Sequence, residues 1–248
     1  MNRCHLVDEV FQALPEFARQ NVVELVESMG SGMIWSSRAF RDQGGVLLDE
    51  EQLSRYCRNV IGLPFLFAVR LLQQQQTGKS VVSAQLREDC LRAGEMVQLA
   101  NITRDIEKDL RWGIAYHPVL KSDLGRSDLD DPGLQERIRG VRQQLLVRAL
   151  GMAPAYERMM HAMPFPTLSL ARGAGVLMLR FTDRYYRSCA RSVGRHPWRG
   201  PRSTVALILQ SAYHVMSARW SRRTVRLITE SFLRFAGQAG GGSRPLPV

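Results

Sequence analysis

The stretch Gln98-Leu-Ala-Asn-Ile-Thr-Arg-Asp-Ile-Glu-Lys-Asp109 has the spacing of a helix with a polar edge. Its apolar side chains recur every three or four residues, and nothing breaks the run before Gly113. Four polar side chains fall within an arc of about 80° on such a helix: Gln98, Asn101, Asp105 and Asp109. Because this polar stripe borders the apolar one, we expect it to face the edge of a core or a cavity.

Asp105 and Asp109 are one helical turn apart, which separates their Cβ atoms by about 5–6 Å. Two carboxylates at this separation suit Mg²⁺, which takes one or two protein carboxylates and leaves its other positions to water and substrate phosphate. The same pair also fits a solvated acidic face flanked by Arg104, Lys108 and Arg111. The spacing alone leaves both interpretations open.

The longer pattern Q-x-x-N-x-x-R-D-x-x-x-D, followed by G-x-x-Y-x-P ending at Pro118, resembles the second aspartate-rich segment of the squalene/phytoene synthase family. Two further stretches match this family in the expected order, Met29-Gly-Ser-Gly-Met33 and Tyr56-Cys-Arg-Asn-Val-Ile-Gly62. The resemblance covers residues 14–120 well. Three matches in one order are much more specific than any one of them.

The resemblance implies an all-α isoprenoid (terpenoid) synthase-like bundle around a central cavity. It also implies a transferase that joins two prenyl diphosphates head to head, with farnesyl or geranylgeranyl diphosphate as the substrate. The matching stretches favour a squalene synthase over a phytoene synthase. Asp105 and Asp109 would then bind Mg²⁺, and Tyr56 would be the catalytic residue that moves or shields a proton. The implied substrate-binding residues are Gln98, Asn101, Arg104, Tyr116, Met29, Met33 and Val60. A true squalene synthase would also use NADPH, but the family's aromatic stretch here reads Leu168-Ser-Leu170.

The sequence departs from the family in its first aspartate motif. That D-x-x-x-D should lie some tens of residues before Leu14, and Asp8-Glu9 does not supply its spacing. Ile114 also replaces an arginine that the family usually has. We therefore expect an N-terminally truncated chain or a homologue without half of its metal site, which makes neither squalene nor phytoene by itself. The alternative is a non-catalytic homologue that acts as a membrane-peripheral assembly or scaffold protein.

The charge balance favours anionic partners. The 248 residues include 34 basic and 23 acidic side chains, giving a net charge of +11. Such a balance fits diphosphates, acidic lipid surfaces or nucleic acid, and nucleic acid is the weakest because no binding motif appears. Four scattered cysteines, no signal peptide and no long apolar run indicate a cytoplasmic protein, and peripheral contact with a membrane stays open.

Periodicity predicts one helical domain over residues 1–236 and a flexible tail over 237–248. Gly30 and Gly32 inside the first helix predict a close approach by another backbone or a substrate. Pro64 should kink the second helix. Four helices are predicted with bounds or a start: 16–41, 49–76 with Asp49 as its cap, 82–113, and one that begins at Asp131-Pro132 and can bend at Pro154. A further helix begins with Thr167 as its cap, and the last one covers 203–236. The last helix carries Arg219, Arg222, Arg223 and Arg226 on one side, which fits an anionic membrane or a solvated basic face.

Overall fold

The computed structural model describes residues 4–79, 81–201 and 203–240, and within these ranges the secondary structure is helical except for one isolated bridge between Val46 and Ala115. The all-α prediction is therefore confirmed. The α-helices are α1 (Cys4–Ala13), α2 (Glu16–Asp42), α3 (Glu50–Cys57), α4 (Leu63–Thr77), α5 (Ala84–Arg111), α6 (Pro132–Leu150), α7 (Ala153–Ala162), α8 (Leu170–Ser192), α9 (Thr204–Met216) and α10 (Ala218–Gly240). A π-helical turn (Arg58–Gly62) joins α3 to α4, and a 3₁₀ helix (Pro118–Asp123) precedes α6.

Side-chain caps explain where several helices begin. Asp49 accepts a hydrogen bond from the Gln52 amide at 2.8 Å, as its position in the sequence predicts. Asp131 caps α6 in the same way through the Leu134 amide, at 2.7 Å. The predicted cap at Thr167 is wrong, because the Ser169 hydroxyl accepts from the first turn of α8 instead.

The C-terminal region contains more helices than the periodicity predicts. The single helix expected over 203–236 is divided at Ser217, whose extended backbone ends α9 and whose hydroxyl accepts from the Trp220 amide to begin α10. The segment after Pro132 likewise divides between α6 and α7, at Gly151 and Met152. Helix α10 continues to Gly240, beyond the predicted start of the tail, and residues 241–248 lie outside the described part of the chain. The division into one domain and a tail stays a prediction.

Pro64 distorts its helix through the preceding turn. Proline lacks an amide hydrogen, and in a regular helix its ring collides with the carbonyl four residues earlier. The chain accommodates this by widening the turn before it, so that the Leu63 amide donates to the Arg58 carbonyl five residues back. The π-helical turn is therefore the form that the predicted kink takes.

Helix α5 is the centre of the fold. It packs against α3, α4, α6, α7, α8 and the π-helical turn, and more than half of its residues are buried. The buried core runs continuously from Val46 in the loop before α3 to Ala239 in α10. No helix in the described ranges is both long enough and apolar enough to cross a membrane.

Two glycines let the π-helical turn lie directly on α5. A Cβ atom added at Gly94 would lie 2.4 Å from the Cα atom of Gly62, which is closer than real contacts allow. Gly32 also has a close neighbour, but it is a side chain instead of the predicted backbone or substrate, because an added Cβ would lie 2.7 Å from the side chain of Asn59. Gly30 is different, since no atom outside its own helix lies within 4 Å of an added Cβ.

Arginines pair with buried carboxylates around α5. Glu95 is 1% exposed and accepts hydrogen bonds from Ser54 at 2.7 Å, Arg58 at 3.2 Å and Arg148 at 2.8 Å. Asp89 is paired with Arg158 at 2.6 Å. Charges this deeply buried require such partners, because an unpaired buried carboxylate would be strongly destabilising. Part of the basic excess of the sequence is therefore used inside the fold.

The glycine contact gives a stability prediction. Replacing Gly94 with alanine should reduce the free energy of unfolding by about 1–3 kcal/mol, because backbone atoms of Gly62 and Ile61 would have to move. The matched control is Gly30→Ala, also within a helix but in open space, which should increase stability by about 0.5–1 kcal/mol. Urea unfolding followed by circular dichroism measures both changes. Equal effects of the two substitutions would show that the Gly62–Gly94 approach does not constrain the packing.

Candidate active site

The polar stripe of α5 is one wall of the candidate site. Gln98 is buried and Asn101 half-buried, and the Asn101 amide donates to the Gln98 side-chain oxygen at 3.2 Å. Asp105 and Asp109 follow one and two turns further along, and Asp109 lies in the last turn of the helix. The sequence spacing therefore does place these four residues along one helix edge, as predicted.

Two tyrosines and a phenylalanine form the wall opposite the C-terminal half of α5. The ring centroids of Tyr56 and Tyr116 are 5.4 Å apart. Phe40, near the end of α2, meets both rings edge-on, at 6.0 Å and 5.9 Å. Tyr56 comes from α3 and Tyr116 from the loop after α5, so three separate parts of the chain contribute to this aromatic cluster.

The loop that carries Tyr116 is held in place by backbone contacts. Gly113 adopts a left-handed conformation with φ of 75°, which turns the chain back after α5. The Ala115 amide then donates to the Gly45 carbonyl at 2.8 Å, and the Leu47 amide donates to the Ala115 carbonyl at 3.1 Å. These two bonds fix the residue directly before Tyr116 against the segment between α2 and α3.

The aromatic cluster lies next to the polar stripe. Tyr56 neighbours Tyr116 and Gln98, and Tyr116 neighbours the carboxylate of Asp109, so that each of these groups influences the pKa of the next. Burial raises the pKa of Tyr56 above its ordinary value, and burial together with the neighbouring Tyr56 raises the pKa of Tyr116 further. Both phenols are therefore protonated at neutral pH and act as hydrogen-bond donors.

The two aspartates have opposite electrostatic environments. Arg104 donates to Asp105 through two nitrogens, at 2.8 Å and 2.5 Å, and this pairing lowers the pKa of the Asp105 carboxyl. The pKa of Asp109 is raised, mainly by burial and then by the charge of Asp105. Asp109 is also near the negative end of the α5 dipole, which disfavours an anion. Three effects thus make the ionised Asp109 costly, which is typical of a residue retained for function.

A cavity of about 630 Å³ lies between α5 and α8, and its lining from α5 is Thr103, Arg104 and Glu107, not the two aspartates. It is lined by Arg104 and, among others, Arg184, Tyr185 and Thr204. The guanidinium of Arg104 lies 5.1 Å from the centre of the Tyr185 ring. Nothing in the sequence marks Arg184 or Tyr185, because α8 reaches the site only through tertiary packing. Phe40 was likewise missed, since it reads as an ordinary core position.

The other three predicted substrate-binding residues lie on α2 and on the π-helical turn that follows α3. Met29 and Met33 are on α2, and Val60 is in the π-helical turn that packs against it. Met29 and Val60 are half-buried, whereas the Met33 side chain is 62% exposed. In the described part of the chain Met33 thus borders solvent, so the enclosed cavity expected around it stays a prediction.

The carboxylate pair fits a Mg²⁺ ion that takes most of its ligands from water and phosphate. The paired oxygen donors at the end of α5, one of them with no cationic partner of its own, are the ligand type that Mg²⁺ prefers. Among the described residues no group of three or more acidic, histidine or cysteine side chains could hold a metal. Asp105 and Asp109 would therefore need substrate oxygens to complete a coordination shell.

Fold and site together define an all-α protein with a carboxylate pair on a central helix near arginines and half-buried tyrosines. The chain belongs to the squalene/phytoene synthase family, because the profile described as squalene/phytoene synthase matches residues 2–204, about four fifths of the chain. No curated protein matches the sequence significantly. The family match ends at Thr204, the first residue of α9.

The cost of the ionised Asp109 gives a second prediction. The pKa of the Asp109 carboxyl is higher in the folded chain than in the unfolded one. The free energy of unfolding therefore falls as the pH rises from the unfolded pKa to the folded pKa, and it has reached its lower value at neutral pH. Asp109→Asn should therefore stabilise the ligand-free protein at pH 7, by a few tenths to about 1 kcal/mol. This gain should disappear at a pH below the unfolded pKa of about 3.9, where the wild-type carboxyl is protonated as well.

Asp105→Asn is the matched control, because it removes a carboxylate whose pKa is lowered by its arginine. It should leave the stability at pH 7 unchanged or reduce it slightly, since such partly exposed pairs contribute about 0–1 kcal/mol. Thermal unfolding at several pH values measures both variants. A less stable Asp109→Asn protein at pH 7 would contradict the proposed electrostatic cost.

Proposed function

We propose that this protein is a prenyltransferase that binds prenyl diphosphates with Mg²⁺ and condenses two of them head to head. The observation that carries the proposal is the costly Asp109 carboxylate, which lies one turn from Asp105 and next to a half-buried tyrosine pair. A fold optimised only for stability would avoid this arrangement, whereas a metal ion would reverse its electrostatic cost.

Asp105 and Asp109 would hold the metal. Bound Mg²⁺ supplies positive charge that stabilises a departing diphosphate. Arg104, which pairs with Asp105, and Arg184 line one cavity and offer further hydrogen-bond donors for phosphate oxygens. Arg104 is already oriented by Asp105 and Tyr185, so little of its freedom is lost when it binds an anion.

The aromatic cluster would serve the prenyl carbons. Tyr56, Tyr116 and Phe40 present ring surfaces that exclude water and attract a cation. Tyr56 holds its proton at neutral pH, since burial raises further a pKa that is ordinarily near 10, and its ring lies beside Tyr116, which neighbours Asp109. A protonated Tyr56 would therefore shield the reacting carbons or pass a proton on at its phenolic oxygen.

Within this proposal, squalene synthesis from farnesyl diphosphate is favoured over phytoene synthesis. Support comes from the Met29–Met33 and Tyr56–Gly62 stretches, which match the family in order. NADPH use, which a complete squalene synthase would require, belongs to the same proposal. Against it, Leu168 and Leu170 stand exposed where the family has an aromatic-containing stretch.

A second candidate is a non-catalytic family member that serves as a membrane-peripheral assembly or scaffold protein. The observation that favours it is the small number of metal ligands, since Asp105 and Asp109 form no larger acidic, histidine or cysteine cluster within the described ranges. Ile114, in place of a cationic residue near the phosphate end, points the same way. The two candidates differ in whether prenyl diphosphates bind at the carboxylate pair.

Ligand binding tests the proposal directly. Titration calorimetry with Mg²⁺ and a non-hydrolysable farnesyl diphosphate analogue should show that each ligand requires the other, because two carboxylates leave most of the Mg²⁺ shell to water and phosphate. The double variant Asp105→Asn/Asp109→Asn should weaken this binding by at least about 10²-fold, the effect of losing one well-placed stabilising group.

The matched control is Asp128→Asn/Asp130→Asn, which makes the same charge change in an exposed loop. It should bind like the wild type. Equal binding by the wild type and the Asp105/Asp109 variant would refute the metal assignment. Binding without hydrocarbon product, assayed with Mg²⁺, NADPH and labelled farnesyl or geranylgeranyl diphosphate, would favour the non-catalytic candidate.

A further inference from the structure

Helix α9 presents an apolar surface outward instead of inward. Its buried side is small and partly polar, formed by Leu207, Ser211 and His214. The opposite side consists of apolar residues at helical spacing, and with Trp220 of α10 at its edge we name it the α9 face. Its members are Val205, Ile208, Leu209, Ala212, Tyr213, Met216 and Trp220, and apart from Ala212 each is between 48% and 67% exposed.

The composition of α9 is also unusual for a surface helix. Its thirteen residues, Thr204–Met216, include no Asp, Glu, Lys or Arg. Solvent-exposed helices normally carry charge on their outer side, and a continuous exposed apolar surface marks a place where something binds. The exposed Leu168 and Leu170 extend this surface, because the Ser169 amide between them donates to the Val215 carbonyl at 3.0 Å.

Arginines border the α9 face. The exposed side chains of Arg219, Arg222, Arg223 and Arg226 follow it along α10. Trp220 joins the two surfaces, because its ring lies 6.1 Å from that of Tyr213 and the Arg223 guanidinium is 5.6 Å from the Trp220 ring. Glu157, at 3.8 Å from Arg226, is a carboxylate of the neighbouring α7 that faces this row.

The sequence around the face contains no negative charge. Between Asp183 and Glu230 the chain has no Asp, Glu or Lys, and its charged residues are ten arginines. They are Arg184, Arg187, Arg191, Arg195, Arg199, Arg202, Arg219, Arg222, Arg223 and Arg226. Some of this charge is neutralised, since Arg187 pairs with Asp183 inside the fold. Among the described residues Arg191, Arg195, Arg199 and the four arginines of α10 are exposed, and their charge complements an anionic surface.

We propose that the α9 face docks this protein on an anionic lipid bilayer, with the apolar side chains entering the interface and the arginines contacting lipid phosphates. An apolar strip, an aromatic residue at its border and a basic rim are the features of an interfacial helix. A second copy of the chain fits less well, because a twofold contact would bring Arg219 and Arg223 near their own equivalents. Most of α9 and all of α10 lie outside the range of the family match.

Docking there would bring the candidate active site to the membrane. Thr204, the first residue of α9, lines the cavity that contains Arg104, and it accepts a hydrogen bond from Arg184. This link to a lipid-soluble substrate or product rests on the proposed function, whereas bilayer binding itself does not. The two can therefore fail separately.

Vesicle flotation of the full chain, without Mg²⁺ or diphosphate, tests the proposal. The protein should bind vesicles made from equal parts of phosphatidylcholine and phosphatidylglycerol more strongly than vesicles of phosphatidylcholine alone. Binding should weaken as the salt concentration rises, because surface charges are screened. Two double variants, Leu209→Ser/Met216→Ser and Arg219→Gln/Arg223→Gln, should each reduce the partition coefficient by about tenfold or more.

The matched control is Val26→Ser/Ile34→Ser, which removes two exposed apolar side chains from α2 and should leave binding unchanged. Thermal unfolding verifies that each variant is folded. If Leu209→Ser/Met216→Ser does not fold, Arg219→Gln/Arg223→Gln still tests the proposal. Absence of binding to anionic vesicles, or an equal loss in the control, would overturn the proposal. A dimer that Leu209→Ser/Met216→Ser abolishes, without vesicle binding, would instead assign the face to a second copy.

Discussion

The contact between the π-helical turn and α5 is the constraint on which the site depends. Gly62 and Gly94 have no side chains, so the two backbones approach more closely than any other residue would allow. Tyr56 lies six residues before Gly62 and Gln98 four residues after Gly94. Because both helices are rigid over these distances, the backbone contact determines that Tyr56 meets Gln98. Gly62 thus positions Tyr56, the proposed catalytic residue, relative to the polar stripe of α5.

Buried carboxylates hold the remaining helices against α5. Glu95 joins α5 to α3, the π-helical turn and α6, and Asp89 joins it to α7. Such pairs contribute little net stability compared with apolar packing, but a misplaced helix would leave a charge buried without a partner. Their main effect is therefore to destabilise incorrect arrangements of the helices, in which the buried charge would have no partner. The carboxylate pair at the end of α5 is the exception, because Asp109 forms no ion pair with any residue that the structure describes and its pKa is raised.

The two sides of the candidate site differ in chemical character. Arg104, Arg142, Arg184 and Glu107 line a cavity on the α8 side, and half-buried aromatic rings lie on the α2 side. A prenyl diphosphate has the same polarity, with a charged head and an apolar chain. The α9 face adds a third surface at the margin of the polar cavity, and its apolar and basic residues match the interface of a membrane.

The sequence by itself determined the helical class, several caps and the polar edge of α5, because these depend on spacing along one helix. Asp49, Asp131 and the stripe from Gln98 to Asp109 are all local features of this kind. Only the tertiary structure decided which residues face that stripe. Phe40, Arg184 and Tyr185 reach the site from other helices, and the break at Ser217 that orients the α9 face depends on packing against α8. Periodicity predicts which side of a helix is apolar, but it does not predict which residues of another helix pack against that side.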